Sequence, residues 1–153
     1  MKTITVLNIA QPWAHCIFKH GKNVENRSQN LKKRGTIAIY ASANLNKGRF
    51  KFCNEDLRIK ITPDDVLFGC IVGFVDVVDV IRRKDVTAKT KKWFYDHRSN
   101  YGYVLKNPIF LKKPVKVKPP NGAVKFWFLK GSKLADCMKQ LPAVRRKKFK
   151  DFV

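Results

Sequence analysis

The sequence is short of acid. Its 153 residues carry 11 Asp and Glu against 33 Lys and Arg, a formal charge of +22 at pH 7. Histidine is scarce (3 residues), and the 4 cysteines, Cys16, Cys53, Cys70 and Cys137, lie far apart. No CxxC pair and no Cys/His pair has zinc-finger spacing, which excludes the familiar zinc modules. The glycines are isolated, so the chain has neither a phosphate loop nor a dinucleotide fingerprint, and it has no GxSxG. The longest strongly apolar run, Phe68–Val75, falls far below the roughly 20 residues of a bilayer span. A secretory signal is not expected, because Asn8 and Gln11 break the first apolar stretch and no small-residue cleavage site follows. The cysteines are therefore expected as free thiols in a reducing intracellular compartment, cytoplasmic or nuclear.

What is present supports a packed core. The hydrophobic share is 44%, which excludes general disorder, and the length suits one domain. Residues 1–130 hold 26 Lys/Arg and 9 Asp/Glu, a balance of +17; residues 131–153 hold 7 and 2, a balance of +5. The excess thus belongs to the body as well as to the tail. Self-repulsion of this size works against folding, and a polyanion partner is its natural counterpart. Nucleic acid is the first candidate. No membrane partner, metal or cofactor is expected, and the chain is read as a monomer.

Along the chain, Thr3–Leu7 reads as a strand. Gln11-Pro12-Trp13 opens a short helix over Trp13–His20, with Pro12 at its first position and Gly21 as its stop. Lys22–Arg27 looks extended, and Lys32-Lys33-Arg34-Gly35 is a basic turn before a strand over Gly35–Ser42. Ala43–Asp65 reads as a loop with one short helix. Phe68–Ile81 is the strongest strand, with a bend or bulge at Gly69 and Gly73. A helix is expected over Thr87–Asp96, strands over Tyr101–Leu105, Val115–Val117 and Ala123–Leu129, and a turn at Asn121-Gly122. Ser132 is placed as the cap of a helix to Leu141, and Arg145–Lys150 reads as a solvated basic run. Trp93 and Trp127 are assigned to the core. His15 and His20 have the wrong spacing to share a helical face, and Cys16 turns inward away from His15. The pattern predicts an α+β domain, a small mixed or antiparallel β-barrel with two or three flanking short helices.

Polar residues crowd one segment, which includes Gln11, Lys22, Glu25, Arg27, Arg34 and Ser42. On a strand, Glu25 and Arg27 share one face and Lys22 lies on the other, so a bend at Asn23 is needed to unite the three. One reading is a structural ion pair between Glu25 and Arg27; the other is a ligand site. This segment resembles the ASCH (activating signal cointegrator homology) family of the PUA-like superfamily. Gln11-Pro12-Trp13-Ala14 is similar to its opening QPWA, and Gly21 to Arg27 to its GxKxxExR signature. Arg34-Gly35 and Ile39-Tyr40-Ala41-Ser42 resemble the RG and IHAS that follow. Gly69–Val80, Tyr103–Pro108 and Gly122–Leu129 resemble later strands in the family's order. The resemblance covers about residues 3–130, which sets the expected division into a domain at 1–130 and a C-terminal helix and basic tail at 131–153.

The resemblance implies a PUA-like barrel with a helix across one opening, and an RNA- or nucleic-acid-binding cleft beside the GxKxxExR segment. It also implies the binding set Trp13, Lys22, Glu25, Arg27, Arg34, Tyr40 and Ser42. Trp13 would stack on a base, the cations would meet phosphate, and Glu25 would accept from an exocyclic amine. Some relatives are hydrolases, either ribonucleases or N4-acetylcytidine deacetylases, so Lys22 and Glu25 form the catalytic pair if the chain is an enzyme. The deacetylating branch places a threonine nucleophile where this chain has Glu25. Many relatives carry histidine where it has Tyr40, and the usual tryptophan is replaced by Tyr103.

Overall fold

The computed structural model describes residues 2–95, 98–123 and 125–148. Six strands form one sheet: β1 (Thr3–Ile9), β2 (Val24–Arg27), β3 (Gly35–Ala41), β4 (Cys70–Ile81), β5 (Tyr101–Lys116) and β6 (Phe126–Lys130). Their spatial order is β2-β5-β4-β3-β1-β6. β1 and β3 run parallel, and the other neighbours are antiparallel. The α+β class is as expected, a mixed sheet with short helices. The sheet is curled rather than closed, because β2 and β6 are its two edges and do not pair with each other. The described helices are α1 (Trp13–Lys19), α2 (Lys47–Glu55), α3 (Gly131–Met138) and α4 (Ala143–Lys148), with two single 3-10 turns. None is long and apolar enough to cross a membrane.

Both faces of the sheet are covered, which explains why its central strands read as nearly continuous apolar runs. Ile4 and Val6 of β1, Ala38 and Tyr40 of β3 and Phe74 of β4 pack with Leu134 and Cys137 of α3 and with Leu141. Leu7, Ile9, Ile37, Ile39, Val75 and Val77 pack with Ala14 and Ile17 of α1. The period of two therefore distributes alternate residues to two cores instead of to core and water. A third cluster joins Cys16, Val24, Phe50, Cys53, Trp93 and Phe94, and it carries α2 and the segment after β4. All four cysteines are buried free thiols.

Several local expectations change on folding. Pro12 precedes α1 rather than opening it and follows a cis bond to Gln11. The buried Gln11 side chain takes over the capping role, its Oε1 accepting from the His15 amide at 2.9 Å while its Nε2 donates to the Leu67 carbonyl at 2.8 Å. Thr87–Asp96 does not make a helix: residues 88–93 form successive turns, while Asp96 lies outside the described residues. The aromatic pair Trp93 and Phe94 is buried there, and tertiary burial has overridden local helix propensity. The strands expected on either side of Pro108 are one strand, β5, whose register with β4 shifts on both sides of the Gly73–Phe74 stretch. Bulges at Asn107-Pro108 and around Pro114 absorb the missing N–H groups. Gly73 lies opposite this irregular stretch. A methyl there would run into the Ile109 carbonyl and approach the Phe18 ring to 2.5 Å. Ser132 lies inside α3, which starts at Gly131.

The basic end is not wholly solvated either. Arg145, on α4, makes a bidentate contact with Asp76 of β4 at 2.9 and 3.0 Å. Thr36 and Asn107 also donate to this carboxylate, at 2.5 and 2.9 Å. Burial pushes the Asp76 carboxyl up, but these donors and the Arg145 charge outweigh it and hold it below the usual carboxylate value. Lys150 and the other residues of 149–153 lie outside the described residues. Removing Arg145 leaves a buried carboxylate without its cation. The Arg145→Ala protein is therefore expected to lose about 2 kcal/mol in urea unfolding. A depressed Asp contributes stability above its unfolded pKa, and that contribution is lost as pH falls through the folded one. The acid-unfolding midpoint of Arg145→Ala is accordingly expected at higher pH than that of the parent, and an unchanged midpoint would show that α4 does not hold this carboxylate.

Candidate nucleic-acid interface

A cavity of about 350 Å³ opens where the C-terminal end of β1, the start of α1, β2 and α2 meet. Its lining includes Asn8, Trp13, Lys22, Glu25, Asn26, Arg27, Ser42, Arg49 and Tyr95. The chain reaches it through a sharp turn after α1. Gly21 has φ +68°, the left-handed value that closes many helices, and the Lys22 amide donates back to the Cys16 carbonyl at 3.0 Å. Strand β2 begins only at Val24, so Lys22 precedes it and is free of the strand's alternation. This supplies the change of direction that the sequence required at Asn23.

The three charged side chains meet. Lys22 Nζ lies 3.8 Å from one Glu25 oxygen, and Arg27 Nε lies 3.3 Å from the other. Lys22 is 2% exposed and Glu25 8%, so water screens neither well. The Lys22 ammonium also donates to the Val24 carbonyl. It sits 5.4 Å from the ring centres of both Trp93 and Tyr95 and 5.8 Å from that of Trp13, within cation–π reach. Burial pushes its amine below the usual lysine value of 10.5, and the neighbouring Glu25 carboxylate offsets this only in part. Arg27 Nη2 donates to the Asn8 carbonyl at 2.5 Å. Among the described residues, Arg27 Nε has no partner in hydrogen-bond geometry, nor has the buried Oδ1 of Asn26. The second edge of Asn26 is anchored, its Nδ2 donating to the Trp93 carbonyl at 2.8 Å.

Trp13 is half-buried. It packs edge-on against Phe52 at 6.0 Å and tilted against Tyr95 at 5.6 Å, and it still forms part of the cavity wall. Five of the seven residues in the expected set, Trp13, Lys22, Glu25, Arg27 and Ser42, line this one cavity. The other two are elsewhere. Tyr40 is buried in the core under α3, edge-on to Trp127 at 5.8 Å. Arg34 lies 3.8 Å from Asp79 and donates to the Leu31 carbonyl. The sequence reading omitted Arg49, Asn26, Asn8 and Tyr95. Asn26 stood within the signature itself. Arg49 comes from α2, whose position depends on Phe50 and Cys53 entering the third cluster, and no local spacing announces that. Among the described residues Arg49 has no carboxylate partner. No group of three or more His, Cys, Asp or Glu among them is placed to hold a metal.

The ASCH/PUA-like fold expected from the sequence is matched by a solved structure. The crystal structure of ASCH from Zymomonas mobilis superposes with a TM-score of 0.51, covering 88% of this chain and 93% of that one at 13% identity. In sequence, the chain is similar to activating signal cointegrator 1 of Homo sapiens, 30% identical over 121 residues, and of Mus musculus, 28% identical over 126. The chain carries an ASCH domain. In both mammalian comparisons the match covers 74% of this chain and 21% of the relative, so the chain spans about a fifth of the length of the curated relatives it matches. No family model matches it.

The charge trio of the ASCH domain sets a stability prediction. Removing Glu25 leaves the buried Lys22 and the half-buried Arg27 uncompensated, so Glu25→Ala is expected to cost about 3 kcal/mol in urea unfolding. Lys22→Met keeps the Glu25–Arg27 pair and is expected to cost less. The two proteins also separate by pH. A lysine whose folded pKa is depressed disfavours folding at low pH, and this penalty fades as pH rises toward 10.5. The stability of the parent relative to Lys22→Met therefore rises with pH in that window, and taking the difference cancels the opposite trend of the buried thiols. A flat difference would mean that Lys22 is not desolvated.

Proposed function

We propose that this ASCH domain is an RNA-binding module whose cavity receives one nucleotide. The observation that carries the reading is the charge of the pocket. Lys22, Glu25 and Arg27 sum to +1, Arg49 adds a cation that has no carboxylate partner among the described residues, and the wall beside them is the ring of Trp13. A pocket of this kind favours an anion joined to a flat group, which describes a nucleotide. Arg27 and Arg49 supply forked donors for phosphate, and Trp13 supplies a stacking edge or face. The unpartnered Asn26 Oδ1 and the Glu25 carboxylate are acceptors for the amino or imino groups of a base. The rest of the chain's +22 excess supports the strand on either side of that nucleotide by neutralising its backbone. Tyr40 and Arg34 have no place in the pocket under this reading.

A second reading, a small hydrolase acting on RNA or a modified nucleoside, is favoured by one specific observation. Lys22 is a buried amine of lowered pKa at 3.8 Å from a carboxylate, the type of pair that moves protons. Against it, the ammonium is already engaged by the Val24 carbonyl and surrounded by three rings. Retention of full activity in Lys22→Ala, should a hydrolysis be found, would exclude this pair.

The binding reading is tested by fluorescence anisotropy with single-stranded and duplex RNA and DNA and with modified and unmodified nucleotides. Binding is expected to weaken steeply with salt. Trp13→Ala is expected to weaken binding about 5- to 100-fold, in line with the ~1–3 kcal/mol of one stacked base, without changing the salt dependence. Absence of binding by the parent at low salt would refute the proposal.

A further inference from the structure

A second basic feature lies away from this cavity, between the C-terminal half of β5 and α3. It is a groove of about 830 Å³ lined by Lys112, Lys113 and Lys116 from the strand and Lys133 and Lys139 from the helix. All five lysines are exposed. The one acid in the lining, Asp136, lies 3.4 Å from Lys139. Among the described residues the other four lysines have no carboxylate partner. The two walls are fastened together. Gln140, just past α3, accepts from the Lys113 amide at 2.9 Å and donates to the Lys113 carbonyl at 2.8 Å, as a paired strand would. Beneath the groove, Leu111, Val115, Leu134 and Cys137 are buried in the same cluster, so strand and helix share a rigid floor.

We propose that this groove is a separate track for the sugar–phosphate backbone of a nucleic acid. Lysines at a strand edge also guard against edge-to-edge pairing. That role accounts for the lysines on β5, but not for those on α3 that face the same trough. Four uncompensated ammoniums on two fixed walls suit a ligand with repeated single negative charges, and a phosphate backbone provides one every 3.4 Å along a duplex strand. The groove does not depend on the cavity. It extends the proposed function, because both lie along one strand. Tyr103 pairs with Glu25 at the cavity end of β5, and Lys113 lies ten positions further on, at most about 34 Å away. A strand of about ten nucleotides is therefore long enough to occupy both.

The test compares the parent with a K112Q/K116Q/K133Q variant, using fluorescein-labelled single-stranded RNA of 3 and 20 nucleotides from 50 to 200 mM salt. These side chains are exposed, and an unchanged thermal melt establishes that the variant is folded. The 20-mer is expected to bind the variant at least tenfold more weakly. Its slope of log affinity against log salt is expected to fall in magnitude by about 2, at roughly 0.7 per phosphate contact. Binding of the 3-mer should not change. Equal 20-mer affinity and slope in the two proteins would overturn the groove while leaving the cavity reading intact, as would new self-association of the variant with unchanged RNA binding, which marks edge protection. Tighter binding of poly-glutamate than of RNA at this groove would also overturn it. Conversely, loss of 3-mer binding by the parent with the 20-mer effect preserved would remove the cavity reading and keep the groove.

Discussion

Glu25 stands between a buried cation, Lys22, and a half-buried one, Arg27. A carboxylate between Lys22 and Arg27 makes their burial tolerable, and the pair cannot both be satisfied by one acid. The arrangement constrains what surrounds it. Three aromatic rings face the ammonium, the Val24 and Asn8 carbonyls accept from the two cations, and the Trp93 carbonyl fixes Asn26 beside them. The segment at 87–95 leaves the helix path to bring Trp93 and Tyr95 to this place. Local conformation is thus subordinate to solvating a charge cluster without water.

The same cluster links stability and recognition. A surplus positive charge held in a half-enclosed cavity costs folding energy when the cavity is filled only by solvent, and the cost falls when an anion enters. The Asp76–Arg145 contact is the opposite arrangement. There an acid is surrounded by donors from Thr36, Asn107 and Arg145, its charge is matched, and nothing is left for a ligand. One chain therefore carries a satisfied ion pair that closes the structure and an unsatisfied one that opens onto a cavity.

The legible parts of the fold were those whose signal is local. Strands β1, β3 and β4 were readable because β-branched runs end at glycine or small residues, and α1 because Gly21 stops it. The QPWA and GxKxxExR stretches marked four residues that share the cavity, since both motifs sit within one hairpin-length segment, and the Ile39–Ser42 stretch marked the fifth, Ser42. Trp93, Trp127 and the inward turn of Cys16 were likewise visible from hydrophobicity and spacing. What failed locally did so for tertiary reasons. Proline at 108 and 114 reads as a strand end, yet bulges opposite Gly73 let β5 continue past both. Arg145 reads as one more charge in a basic tail, because its partner lies 69 positions earlier.

The sequence by itself determined that the chain is basic and of the α+β class, because composition and short-range periodicity act through neighbours along the backbone, while its short motifs carried the resemblance to the ASCH family. Only the tertiary structure decided which cations are spent and which are open. Arg34 lies beside Asp79, Arg145 is fixed on Asp76, Tyr40 is sunk in the core, and Arg49 is delivered by α2 to the cavity. The reason is physical: whether a charge is available depends on distance to its counter-charge and on exclusion of water, and both are properties of packing between elements remote in the chain.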